Sequence, residues 1–184
     1  DARTYNKSCM VAGSNFFTMW LLKQFAPVDC AIGLHWSHFN QPILPPIVPH
    51  FTSDSHQVVA DKILVYLPFE EKTDILSLLQ PHSSHRFFIY GVSDVADQNG
   101  NQFLRPFSRS GFLADLQDCN GVITNAGFEL TSEALQLGKN ILVKPLAGQM
   151  EQLSNALAVS QLGLGTVMPN LDSATVGRWL NAAP

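Results

Sequence analysis

Thr124-Asn125-Ala126-Gly127-Phe128-Glu129-Leu130-Thr131-Ser132-Glu133 passes from a strand, through a glycine, into a helix. Val122 to Thr124 reads as a strand, and Thr131 to Leu137 as a helix ended by Gly138. Such a turn can hold a diphosphate. Gly127 lets the backbone approach a ligand closely, and the unpaired N–H groups of the first helical turn, around Phe128, Glu129, Leu130 and Thr131, point at an anion with the helix dipole behind them. Glu133 stands six residues after the glycine. A carboxylate there must keep clear of phosphates, and its natural partner is a pair of ribose hydroxyls. Taken alone, the stretch is a common α/β turn and Glu133 a carboxylate favoured by the helix dipole. What lies around it decides between these readings.

Working outward, apolar runs alternate with amphipathic segments. Ile63 to Leu67, Arg86 to Tyr90, Gln102 to Phe107 and Ile141 to Val143 read as strands. Glu71 to Gln80, Gly111 to Cys119, Glu151 to Gln161 and Asp172 to Asn181 read as helices, the last with Asp172 or Ser173 as N-cap. Strands without alternation, each followed by a helix, imply a doubly wound α/β domain with a parallel sheet. Ligands of such sheets sit beyond the carboxyl ends of the strands, so the loops after Leu67, Tyr90, Phe107, Thr124 and Val143 should line the site. Further upstream the pattern differs. Ser14 to Phe25 carries a broad helical stripe halted by Pro27, and Cys30 to Leu34 reads as a short buried strand. Between Gln41 and Pro49 fall Pro42, Pro45, Pro46 and Pro49, which favour a stiff, extended connection. The boundary is therefore expected there: residues 1–45 as the tail of an upstream domain with its linker, and residues 46–184 as the ligand-binding domain.

The 184 residues leave room for one substantial domain and part of another. With 46% hydrophobic and 14% charged residues a real core is expected. A net charge of −4 and the lack of any Lys/Arg run argue against nucleic acid and anionic membranes as partners, and favour a small molecule. No apolar run approaches the ~20 residues of a transmembrane helix. Cys9, Cys30 and Cys119 are widely spaced, which suits a reducing cytoplasm. His35 with His38 and His82 with His85 have tempting spacings but no acid or cysteine partner nearby, so no metal site is expected.

A second motif follows the first. Eighteen residues after Glu133 comes Glu151-Gln152-Leu153-Ser154-Asn155-Ala156, downstream of Pro145-Leu146-Ala147-Gly148-Gln149. Together, Gly127, Glu133, Gly138, Pro145, Glu151, Gln152 and Asn155 resemble the donor-binding signature of GT-B glycosyltransferases of the MurG-like and UDP-glycosyltransferase type. The resemblance covers the order of elements from about residue 60 to 180, while the specific motif lies between Asn125 and Asn155. It implies a Rossmann-like C-terminal donor domain that binds a nucleoside diphosphate sugar, first of all a UDP-sugar, as substrate and needs no other cofactor. By this resemblance Gly127 and the backbone after it hold the pyrophosphate, and Glu133 holds the ribose. Gln149, Glu151 and Gln152 meet the transferred sugar, and Asn155 supports their loop. The nucleobase lies against Arg105 to Arg109, using Phe107 and the backbone of Ser108, with Pro68 to Glu70 edging the site.

Four departures stand out. Asn125 replaces a histidine common in relatives, and Leu130 replaces a Ser or Thr that adds a phosphate hydroxyl. The loop after Pro145 is longer than the common plant form, and Leu67-Pro68-Phe69-Glu70-Glu71 lacks the Gly-rich run of MurG proper. The implied reaction is an inverting sugar transfer of the hexosyl or N-acetylhexosaminyl class, with charge on the leaving diphosphate stabilised by the helix N-terminus. In the family the base comes from the other domain, so no catalytic base and no turnover are expected of this chain alone, and the remainder of that domain and an unknown acceptor are the missing partners. The alternatives are a non-catalytic nucleotide-sugar-binding subunit that needs a separate partner, and a GT-B fold epimerase acting on the same ligands.

Overall fold

The computed structural model describes residues 16–25, 29, 32–51 and 57–182. The expected starts of the first helix at Ser14 and the first strand at Cys30 lie outside them. Helix α1 (Phe16–Phe25) comes first, with Phe16, Phe17, Trp20 and Leu21 exposed. Strands β1 (Gly33–Leu34) and β2 (Ile43–Leu44) follow and pair in parallel, Gly33 opposite Ile43. This amends the expectation that Gln41 to Pro49 is wholly an extended connection. Pro42 and Pro45 bracket the two paired residues, and a proline has no N–H to lengthen a ladder.

The rest alternates strand and helix except where three strands, β4 to β6, follow one another: β3 (Val59–Tyr66), α2 (Lys72–Leu79), β4 (Arg86–Tyr90), β5 (Asp97–Asn99), β6 (Gln102–Arg105), α3 (Arg109–Asp118) and β7 (Cys119–Thr124). Then come α4 (Phe128–Gln136), β8 (Asn140–Val143), α5 (Met150–Gln161), β9 (Thr166–Val167) and α6 (Ser173–Asn181). The sheet order is β5-β6-β4-β3-β7-β8-β9, parallel throughout except for β5, which runs antiparallel to β6. Successive residues of one strand enter opposite cores, as strands covered on both faces must. Ile63 and Val65 join Ile123, Leu142, Ile75, Leu79, Val176 and Trp179 on the side of α2 and α6. Leu64 joins Val122, Ile141, Val143, Leu116, Ala134 and Val159 on the side of α3, α4 and α5. Each such aliphatic contributes roughly 1.5–3 kcal/mol on burial.

Ends are set locally. Ser108 caps α3 by accepting from the Gly111 amide, Asp172 caps α6 by accepting from Ala174 and Thr175, and Gln149 caps α5 by accepting from Gln152. Gly138, at φ 65°, closes α4 in the left-handed region, with the Lys139 amide returning to the Ala134 carbonyl at 2.9 Å. A buried polar knot ties α3 to the sheet: the Lys62 ammonium meets Asp115 at 2.7 Å and Asp118 at 2.5 Å, and the Tyr90 hydroxyl donates to Asp115 at 2.5 Å. Burial first, and then this bond, raises the Tyr90 phenol above its ordinary range. The doubly wound α/β architecture expected from the sequence is thus present.

Candidate functional site

In the order β6-β4-β3-β7-β8-β9, the chain reverses its direction of travel between β3 and β7. After β3 it covers one face with α2, and after β7 it covers the other with α4. A crevice opens at such a switch point. Here it is a cleft of ≈ 470 Å³, walled by Tyr66, Pro68 and Phe69 from the end of β3 onward, by residues between Thr124, the end of β7, and Leu130, and by Glu151 and Gln152 of α5.

The wall at α4 is built to leave amides free. Gly127 is its N-cap and, having no side chain, offers no cap to the amides of the first turn. The Thr131 amide already donates to the Gly127 carbonyl at 3.3 Å. The amides of Phe128, Glu129 and Leu130 are left without intrahelical acceptors by helix geometry alone. Gly127 itself sits at φ −69° and ψ 141°, and a methyl group built on it would meet only the Asn125 carbonyl, at 3.4 Å. Among the described residues nothing stands close enough to require a glycine at this position, which lines the cleft.

The residues singled out in the sequence divide into three groups. Asn125, Gly127, Phe128, Glu129, Leu130, Glu151 and Gln152 come together around the cleft. Gln152 is buried and its Oε1 accepts from the Leu146 amide at 3.0 Å. Asn155, fully buried, donates to the Ala126 carbonyl at 2.8 Å, so α5 does brace the turn before Gly127. Gln149, Thr131 and Glu133 are not among the residues that line the cleft. The Gln149 side chain is engaged as a cap, and Thr131 is fully buried with no hydrogen-bond partner for its hydroxyl among the described residues. Glu133 is half-buried, and burial raises its carboxyl above the usual range, against the pull of Arg109 at the start of α3 and with the push of Glu129. Phe107 and Ser108 lie on the loop between β6 and α3, immediately before Arg109. Phe107 is 71% exposed, whereas Phe103 is stacked on Phe88 at 5.0 Å between ring centres. Arg109, which follows that loop, acts electrostatically on Glu133, but Phe107, Ser108, Arg109 and Glu133 are not among the residues that line the cleft.

Two contacts go beyond the sequence reading, which takes Trp36 only as an anchor of the core or between domains. Trp36 stacks on Phe128 at 5.2 Å and its Nε1 donates to Ser132 Oγ at 2.8 Å, so the segment before the prolines buttresses the first turn of α4. Joined to the wall residue Asn125, Lys144 Nζ pairs with Glu70 Oε1 at 2.5 Å, and Asn125 Nδ2 donates to the Lys144 carbonyl at 3.0 Å and to the same Glu70 oxygen at 3.4 Å. One signal was available: Lys144 is a lone charge closing the apolar run Ile141-Leu142-Val143. Among the described residues, no group of three or more His, Cys, Asp or Glu is gathered to hold a metal ion. His82 Nε2 meets Ser173, and His35 is packed edge-on against Trp36 and Phe39. No helix among the described residues is long and apolar enough to cross a membrane.

A family model described as glycosyl transferase family 1 matches residues 37–184. No curated protein matches the chain. Among solved structures, it is similar to the glycosyltransferase SnogD from Streptomyces nogalater, at 20% identity and a TM-score of 0.52 over 75% of this chain and 38% of that one. It is also similar to the glycotransferase of kitacinnamycin, at 15% identity and a TM-score of 0.56 over 75% of this chain and 40% of that one. For the calicheamicin glycosyltransferase CalG4 the figures are 18% and 0.53, over 76% of this chain and 38% of that one. At these identities the likeness establishes a shared fold. The chain spans about two-fifths of the length of each of these structures.

Proposed function

The chain belongs to glycosyl transferase family 1, and from that premise we propose that it holds a nucleoside diphosphate sugar, first of all a uridine diphosphate sugar, as the donor half of a glycosyl transfer. One observation carries the reading: a helix N-terminus with an uncapped glycine opens into the cleft at the switch point of the sheet. The diphosphate takes the amides of Phe128, Glu129 and Leu130 and the partial positive charge of α4. The ribose goes to Glu133, and the base to the loop carrying Phe107 and Ser108. Glu151 and Gln152 face the transferred sugar.

The chemistry asked of these groups is a displacement. The bond between the anomeric carbon and the β-phosphate oxygen breaks with its electron pair leaving on the diphosphate. The acceptor oxygen bonds to that carbon from the opposite face, with inversion, and gives up its proton to a base. Fixed amide dipoles aimed at the leaving oxygens stabilise the charge that grows there. The acceptor and the base are assigned to a partner region outside the 46–184 domain, with residues 1–45 as the connection to it.

Titration of UDP, GDP and dTDP into the chain, read by thermal and calorimetric stability, tests this. UDP at a hundred times its dissociation constant is expected to stabilise the fold by about 2.7 kcal/mol. Glu133→Ala should weaken that response, and Asp97→Ala, on the exposed edge strand β5, should leave it intact. Acidification from pH 7 should also weaken it, because ribose needs the carboxylate and the Glu133 carboxyl is raised, so it takes up its proton above the ordinary glutamate value. No stabilisation by any of the three nucleotides, or equal losses in the two variants, would overturn the assignment.

A further inference from the structure

The cleft walls carry two carboxylates, Glu129 and Glu151, and no lysine or arginine among the described residues. A diphosphate entering there needs more positive charge than a helix terminus supplies, since that terminus is worth about half an elementary charge. Lys144 is the cation joined to this wall. Its carbonyl takes the amide of Asn125, which lines the cleft, and its ammonium shares Glu70 Oε1 with that same amide. Glu70 directly follows Phe69, another wall residue. The two side chains are only 13% and 12% exposed, and they reach across the carboxyl end of β7 from the loop after β3 to the end of β8. An anion bound at the start of α4 would therefore compete with the Glu70 carboxylate for one ammonium. That ammonium is a compact charge with three donors on a flexible stem, which suits it to a change of partner.

We propose that Lys144 is the counter-cation of the diphosphate, held by Glu70 while the cleft is empty and exchanged from that carboxylate to a phosphate oxygen when a nucleotide binds. This rests on the donor-binding reading above and adds to it a second charge beside the leaving group. It also accounts for Glu70, which would otherwise set a third carboxylate near an anion site with nothing gained. While paired, it spares the protein an uncompensated buried ammonium.

The test compares UDP with uridine, which has the same base and ribose but no phosphate, against the full chain and its Lys144→Met and Glu70→Gln variants. Lys144→Met should lose about tenfold in UDP affinity, the scale of one charge-assisted contact, and keep its affinity for uridine. Glu70→Gln removes the competitor while retaining an oxygen for Asn125, and should bind UDP more tightly with uridine unchanged. A purely structural ion pair makes the opposite forecast: both variants lose both ligands in parallel. If Lys144→Met fails to fold, Glu70→Gln decides alone. In crystals of the UDP complex, Lys144 Nζ should lie within hydrogen-bond distance of a phosphate oxygen. An ammonium still on Glu70 there, or UDP affinities equal to the parent in both variants while Glu133→Ala still weakens binding, would overturn this inference and leave the donor-binding reading standing. Failure of the parent chain to bind any nucleotide would remove both.

Discussion

Gly127 has backbone angles that any residue adopts, φ −69° and ψ 141°, and a methyl group there would touch only the Asn125 carbonyl, at 3.4 Å. Folding alone gives no reason for a glycine, whereas a ligand approaching the amides of Phe128 and Glu129 does. Gly127→Ala should therefore change stability by under about 1 kcal/mol, since alanine is a poorer cap but costs less chain entropy. Its UDP affinity, measured by calorimetry beside a denaturant titration, should fall tenfold or more; an unchanged affinity would mean that the diphosphate does not pass over this turn. At this scale much of the candidate site was legible in the sequence, because Gly127, Glu129, Glu151 and Gln152 lie within one span of the chain and helix geometry orients them. The Lys144–Glu70 pair was not. Its partners are 74 positions apart, and only the pairing of β3, β7 and β8 brings them together.

Among the elements, β7 and α6 meet at one close approach. A methyl group on Gly121 would stand 2.8 Å from Trp179 Cη2 and 3.3 Å from the Asn140 carbonyl, and Trp179 is itself buried. Neither the ring nor the neighbouring strand can yield cheaply, so Gly121→Ala should destabilise by about 1–3 kcal/mol, read as a lower denaturant midpoint at unchanged slope. A midpoint equal to the parent would show that α6 sits further from β7 than described. Buried strands were the easiest elements to read. Ile63, Leu64 and Val65, or Val122 and Ile123, are apolar on both sides and admit few other fates. Strand β5 was missed, since Asp97, Gln98 and Asn99 are all exposed and carry no apolar signal. Pairing with β6 across Gly100 and Asn101 makes it a strand, with Gly100 at φ 60°. Strand β9 was missed for a related reason, being two half-buried residues whose only claim to the sheet is the neighbouring β8.

In the whole molecule, the chain before the prolines is joined to the seven-stranded sheet through α4. Trp36 is the joint: it stacks on Phe128 and bonds to Ser132, while Ser132 Oγ in turn donates to the Phe128 carbonyl at 2.6 Å. Stacking is worth about 0.5–1.5 kcal/mol and the hydrogen bond about 1 kcal/mol. Trp36→Ala should thus cost roughly 2 kcal/mol and expose the backbone between β1 and β3 to limited proteolysis, with the sheet core still resistant. Equal cleavage in the variant and the parent would place the joint elsewhere. By itself the sequence determined the doubly wound class, the places of its buried strands along the chain and the helix whose first turn leaves amides free, because those follow from local periodicity and from backbone groups that every helix start leaves unpaired. Only the tertiary structure decided which lysine pairs with Glu70 beside the cleft wall and what buttresses its helix. Those contacts join residues far apart in the chain, and no local pattern records a neighbour that the sheet order alone supplies.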